Sequence, residues 1–263
     1  MSKSQGMTAR QKYTAFQTIV IKEVLRFVRI WIQTILPPMI TTALYFLIFG
    51  NLIGSRIGEM DGYRYMDYIV PGLIMMAVIN HSYANVVSSF FGSKFQRHIE
   101  EMMVSPVPNY LILLGFVAGG VARGLCVGVA VTIVSLFFAT FQIHNAWVIV
   151  TTFILTSTLF ALGGFINGVF AKSFDDISII PTFVLTPLTY LGGVFYSIKT
   201  LPAFWYHASL GNPILYMINA FRYGFLGTSD IPIGVSYAII IGFIVVLFAF
   251  SLHLLNKGHG IRT

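Results

Sequence analysis

Charge is what this chain has least of. Asp, Glu, Lys and Arg together supply 10% of its 263 residues, far below the roughly one quarter usual in soluble domains. So small a share excludes an ordinary water-exposed surface. Cysteine is nearly absent: the single Cys126 has no partner for an intrachain disulfide, and inside an apolar run it reads as a small packing residue. Catalytic signatures are missing as well. The chain carries no G-x-x-x-x-G-K-[ST] phosphate loop, no H-E-x-x-H, no G-x-S-x-G and no Cys/His metal spacing. His81, His98, His144, His207, His253 and His259 are scattered and read as ordinary loop or span-end residues. Neither an enzyme nor a metal site is indicated.

What is abundant is apolar surface. Hydrophobic residues make up 56% of the chain and aromatics 15%. Runs of about twenty such residues match what a helix needs to cross roughly 30 Å of hydrocarbon. The pattern predicts an all-α polytopic membrane protein with six transmembrane helices, over Trp31–Ile53, Tyr68–Phe91, Leu111–Phe138, Trp147–Phe170, Ile177–Tyr196 and Ile233–Leu254. No signal peptide is expected, because residues 1–30 are too long for an n-region and no small-residue cleavage pattern follows.

The net charge of +7 suggests nucleic acid in a soluble chain, but here it reads as loops and ends lying against anionic lipid. Eleven Lys and Arg fall on one side of the predicted bundle: Lys3, Arg10, Lys12, Lys22, Arg26, Arg29, Lys94, Arg97, Lys172, Lys257 and Arg262. The other side has four, Arg56, Arg64, Lys199 and Arg222. The positive-inside rule therefore puts both termini in the cytoplasm. Ahead of the first span, Phe16, Ile19, Val20, Phe27 and Trp31 recur at helical spacing, with Lys22, Arg26 and Arg29 on another face. This predicts an amphipathic helix in the membrane interface, its basic face toward lipid headgroups.

None of the nine acidic residues falls within the six predicted spans, which argues against coupling to a proton or sodium gradient. Asp175–Asp176 read as a solvated turn or helix start rather than a paired-carboxylate site. Arg123 is the one charge inside a span, at an insertion cost of about 2.5–3.5 kcal/mol. Gly120, Gly124 and Gly128 beside it form a doubled G-x-x-x-G ridge. Two readings stand open. Arg123 snorkels or bonds carbonyls at a tight helix contact, or it lines a substrate path or dimer seam.

Leu201–Phe225 is aromatic and broken by Pro202, Gly211 and Pro213. It reads as one or two short helices dipping into the outer leaflet, within a re-entrant segment over residues 198–231. Between the second and third spans, Lys94–Glu101 gathers five charged or titratable side chains in eight residues. Phe95, Ile99, Met102 and Met103 fall on one helical face of this connector, and Pro106 and Pro108 stop it.

These residues carry a likeness. "IPTFVLTPLTYLGGVFYSIKTLPAFW" followed by "NPILYMINAFRYG" resembles the signature of ABC-2-type transporter permeases, through Pro181, Pro187, Gly192, Gly193, Leu201, Pro202, Asn212, Pro213 and Arg222. The connector matches through Glu101, Met102, Met103, Val104, Ser105 and Pro106. It departs where His98 and Ile99 follow Arg97, since many members have Gly-Thr there. "PPMITTALYFLIFGNLIGSRIG" and "KSFDDIS" are similar to bacterial inner-membrane members.

The resemblance, which runs over essentially the whole chain, implies a half-transporter of type V exporter-like fold. Two copies of the chain pair with two copies of a cytoplasmic ATPase, which binds ATP and Mg; this chain itself binds no cofactor, metal or nucleic acid. It also implies an N-terminal interfacial unit (residues 1–30), a transmembrane domain (31–255) and a cytoplasmic tail (256–263). A coupling helix is expected at about 94–105. Phe95, Ile99, Met102 and Met103 are expected to seat in a groove of the ATPase, with Lys94, Arg97, Glu100 and Glu101 at the rim. The cargo implied is amphipathic, lipid-like, glycan or drug-like. The alternative is a secondary transporter or channel acting alone, with a scaffold protein or intramembrane enzyme behind it.

Overall fold

The structure is a computed structural model that describes residues 7–140, 142–258 and 260. Lys3, His259 and Arg262 lie outside the described residues, as does half of the 256–263 tail. The described chain is mostly helical. Helix α1 spans Ala9–Val28 and is followed by α2, Trp31–Ile57, which is π-helical over Phe46–Ile53. The long α3 runs over Tyr65–Phe95, then α4 over His98–Val104, α5 over Asn109–Ser135 and α6 over Ala146–Phe170. Helix α7 covers Asp176–Leu191. The short α8, Ala203–Leu210, and α9, Pro213–Leu226, precede α10, Ile233–Lys257.

Among the described residues five helices, α2, α3, α5, α6 and α10, are long and apolar enough to cross a membrane. In place of the expected Ile177–Tyr196 span stands the shorter apolar α7, whose 16 residues rise about 24 Å. The cause is local. Pro181 and Pro187 bracket a wide π-helical turn, and Gly192–Gly193 end the helix, with Gly193 at φ +75°. A two-stranded hairpin that hydrophobic runs do not reveal joins α2 to α3, pairing β1, Glu59–Met60, with β2, Tyr63–Arg64. Its Asp61-Gly62 turn has both φ angles positive (49° and 81°), the geometry that two-residue hairpins favour.

Helix α3 is the axis of the bundle. Small residues let its neighbours come close. Gly164 of α6 lies against the Tyr83 carbonyl, Gly72 of α3 against the Val194 backbone, and Gly120, Gly124 and Gly128 of α5 against α3 and α6. Around the first half of α3, Ile69, Ile74 and Val78 meet Phe46, Phe153 and Phe221 in one apolar cluster. Around its second half, Phe90 packs against Phe165 with tilted rings 4.3 Å apart and meets Phe116 edge-on at 5.4 Å. Most of the surface of α2 and α10 is unpartnered and apolar, as lipid-facing or partner-facing helices require; Ile40, Leu44, Val245 and Val246 are exposed.

Helix α9 is buried along nearly its whole length. Asn212 starts it, its Oδ1 accepting from Ile214 N at 3.0 Å while Nδ2 donates to Leu188 O of α7 at 2.6 Å. Pro213 occupies the first turn, where its missing N–H costs nothing, and Pro202 stands exposed just ahead of α8. Asn212→Ala removes a cap and an interhelical tie together, so it is expected to cost about 1–2 kcal/mol. A thermal unfolding scan in detergent checks this.

Candidate functional site

The connector end of α3 is built around one inward-pointing side chain. Helix α3 ends at Phe95, and Arg97 adopts a left-handed conformation (φ +62°) that swings α4 off its axis. The swing drives Ile99 into the bundle. It is 0% exposed and clusters with Phe90, Ile112, Leu113 and Phe116. Met102 and Met103 are partly buried against the same cluster. The face formed by Ile99, Met102 and Met103 is therefore taken by the chain's own core, which corrects the expectation that it seats in a partner. An apolar face on a seven-residue helix has to go somewhere, and the bundle beneath α4 is the nearer place.

What faces outward is a different set. Phe95 is 65% exposed and Val104 89%, and Arg97, His98 and Glu101 are exposed beside them, with Glu100 partly so. Phe95 stands edge-on to the exposed Phe174 at 5.3 Å, which joins the connector to the turn between α6 and α7. Lys94 tethers the two: its ammonium donates to Val169 O at 2.7 Å and Ala171 O at 2.8 Å, neutralising the C-terminal carbonyls of α6. In the same turn Asp176 accepts from Lys172 N and Ser173 N at 2.8 and 3.0 Å. It starts a helix, as the sequence suggested. Glu100 and Glu101 sit in the first turn of α4, where negative charge is favoured.

Helix α1 packs on α5 and differs from the simple basic-face picture. Its buried stripe is Ile19, Glu23 and Phe27, and Gly115 and Gly119 of α5 make room for the first two. Glu23 is fully buried between Lys22 at 3.7 Å and Arg26 at 3.5 Å. Arg26 turns inward to Asn85, donating to its backbone O at 2.8 Å and its Oδ1 at 2.7 Å. Lys22 is half-exposed and stands 5.6 Å from the Phe116 ring centre. Of the three basic residues Lys22 and Arg29 stay exposed, and Arg26 is the one drawn inward. The acid was overlooked, yet it sits at i+4 between Ile19 and Phe27, which is the signal that finds it.

Arg123 lies on the same side of the core, near enough to Arg26 and His81 to interact with both electrostatically. Its Nε has no hydrogen-bond partner among the described residues. Gly120, Gly124 and Gly128 close against Val86, Ser82 and Phe153 of this same chain. That ridge serves helix contacts within the chain, which leaves Arg123 itself as the polar element.

At the other end of α3, helix α9 carries Arg222, 1% exposed, whose Nη2 donates to Gly193 O at 2.6 Å. Nearby, Asp230 pairs with Lys199 at 3.1 Å, and this bond holds the Lys199 ammonium above the usual lysine range. No group of His, Cys, Asp and Glu among the described residues is arranged to hold a metal ion.

A helical membrane domain with a kinked connector, a buried α9 and a Gly-rich central contact is the geometry on which the family comparison bears. The profile of the ABC-2 type transporter family matches residues 14–226. The chain belongs to that family, as the membrane component of an ABC transporter. It is 59% identical over 252 residues to the inner membrane transport permease YadH of Escherichia coli (strain K12), covering 95% of this chain and 98% of that one. It has the same identity and coverage against YadH of Shigella flexneri. It is also 22% identical over 230 residues to nodulation protein J of Rhizobium meliloti, covering 87% and 88% of the two chains. Family membership implies a partner ATPase component, in keeping with the lack of a phosphate loop in the sequence.

Proposed function

We propose that the chain is the permease subunit of an ATP-driven exporter, working as two copies with two copies of a separate ATPase. ATP and Mg belong to that partner; this chain binds no nucleotide, metal or nucleic acid. On this reading α7 is a short sixth span between α6 and the outer segment, and α8–α9 form a re-entrant unit. Helix α1 lies in the interface with Arg29 toward headgroups. Both termini are cytoplasmic, as the charge asymmetry supports, and the membrane is the bacterial inner membrane, as the similarity to the inner membrane permease YadH supports. The cargo is amphipathic: a lipid-like, glycan or drug-like molecule.

The observation that carries the mechanism is the exposed apolar pair Phe95 and Val104 on a connector anchored from beneath by Ile99. Phe95, Phe174 and Val104 seat in the ATPase groove, and Arg97 and Glu101 orient the contact at its rim. ATP-driven approach of the two ATPases pushes on α4. Ile99 and the Lys94 tether pass that push into α3, α5 and α6. Co-purification of the ATPase with the tagged permease tests this. Phe95→Asp combined with Val104→Asp is expected to abolish recovery of the ATPase while the permease still elutes as a monodisperse peak. Undiminished recovery with the double variant overturns the docking claim.

A further inference from the structure

A cavity of about 420 Å³ lies at the end of α3 remote from the connector, lined by residues of α3, α9, the hairpin turn and the segment that follows α9. Its size falls in the roughly 300–1,000 Å³ range of small-ligand sites. Four buried polar atoms around it complete no hydrogen bond within 3.5 Å among the described residues: Arg222 Nε and Nη1, Thr228 Oγ1, and the Tyr68 hydroxyl, which has the Ser197 side chain close by. Arg222 and Tyr68 are each 1% exposed, and the guanidinium carbon sits 3.9 Å from the Tyr68 ring centre.

The charge balance is as informative as the unmet bonds. Asp230, the carboxylate deepest in this lining, is already engaged by Lys199, by Ser197 Oγ at 3.1 Å and by Ile198 N at 3.4 Å. Asp61 is exposed on the hairpin turn at the cavity's edge. Arg222 has a single hydrogen bond for its five N–H groups, and no carboxylate closes on it. Water satisfies donors but leaves a buried positive charge uncompensated, whereas an oxyanion meets both needs. The two orphan hydroxyls complete a donor set around that charge.

We propose that this cavity is a binding site for a phosphate-type oxyanion, held by Arg222 with the Tyr68 and Thr228 hydroxyls. The group is either a free anion or the phosphate of a lipid-like molecule, and in both cases the chemistry recognised is the same. The site is a property of this chain alone, so it stands or falls independently of ATPase docking.

The test uses the purified full-length chain in nanodiscs of neutral phosphatidylcholine. Thermal unfolding is followed during titration with inorganic phosphate, with sodium chloride of equal ionic strength as the control. A second arm replaces part of the lipid with phosphatidic acid. Phosphate is expected to raise the transition above the chloride control. Thr228→Val and Tyr68→Phe each remove an unpartnered hydroxyl, so both variants should fold and bind phosphate about tenfold more weakly. Arg222→Gln should lose the response wherever it folds. A response to phosphatidic acid alone supports the site and names a lipid headgroup as the source; a response to inorganic phosphate names a free anion. If neither arm responds, or if Thr228→Val and Tyr68→Phe respond as the parent does, the proposal is overturned.

Discussion

Ile99→Asp should leave no folded permease to study, whereas Phe95→Asp, four residues earlier, should leave a folded permease that no longer holds its ATPase. Both positions are apolar and both lie on the connector, so hydrophobicity alone predicts the same outcome. Burial separates them. Ile99 is 0% exposed inside a cluster of Phe90, Ile112, Leu113 and Phe116. A carboxylate there loses about 2–5 kcal/mol of apolar contact and adds a desolvation penalty of several kcal/mol more. The total rivals the roughly 5–15 kcal/mol that stabilises a typical domain. Phe95 is 65% exposed, so its replacement disturbs little beyond its ring contacts with Phe91 and Phe174. Size-exclusion profiles and thermal scans of the two variants, with ATPase recovery measured for whichever folds, check the contrast.

Two adjacent glycines of α6 provide the second large effect. A Cβ on Gly164 would run into the Tyr83 carbonyl oxygen, with the carbonyl carbon and Cα behind it at 3.2 and 3.3 Å. Backbone cannot move aside as a side-chain tip can, so Gly164→Ala should cost about 1–3 kcal/mol or more by prising α6 from α3. Gly163→Ala meets only the Tyr83 ring, at 3.7 Å, which is ordinary contact. It should be neutral, or stabilising by up to about 1 kcal/mol through helix propensity. Parallel thermal scans of the two alanine variants read the difference directly. A Gly164→Ala effect no worse than that of Gly163→Ala would mean that the α3–α6 contact is loose enough to admit a methyl group.

Length, apolarity and charge asymmetry were enough to find α2, α3, α5, α6 and α10, and the connector's Pro106 and Pro108 marked where α4 had to stop. Direction was harder to read. An amphipathic two-turn helix announces an apolar face but not whether that face looks into the bundle or out of it, so Ile99, Met102 and Met103 looked like docking residues. The left-handed turn at Arg97 decides the matter, and no pattern of hydrophobicity encodes it. Glu23 escaped for the opposite reason. A charged residue in an apolar stripe looks like a break in the stripe until Lys22 and Arg26 are seen on either side of it. The hairpin at Asp61-Gly62 had its turn signal in plain view, but two-residue strands are too short to show alternation. Helix α7 was overextended because the apolar run continues past Gly192–Gly193, where the backbone turns away.

The outward face of the connector is the proposed seat of the ATPase. A photo-crosslinking amino acid placed at Phe95 in cells, followed by mass spectrometry of the adduct, tests it most directly. The predicted result is an ATP-independent adduct with a spanless subunit carrying a G-x-x-x-x-G-K-[ST] loop, with no such adduct from a probe at the exposed, remote Phe204. Adducts at Phe95 with lipid alone, while the ATPase crosslinks elsewhere or not at all, would contradict it.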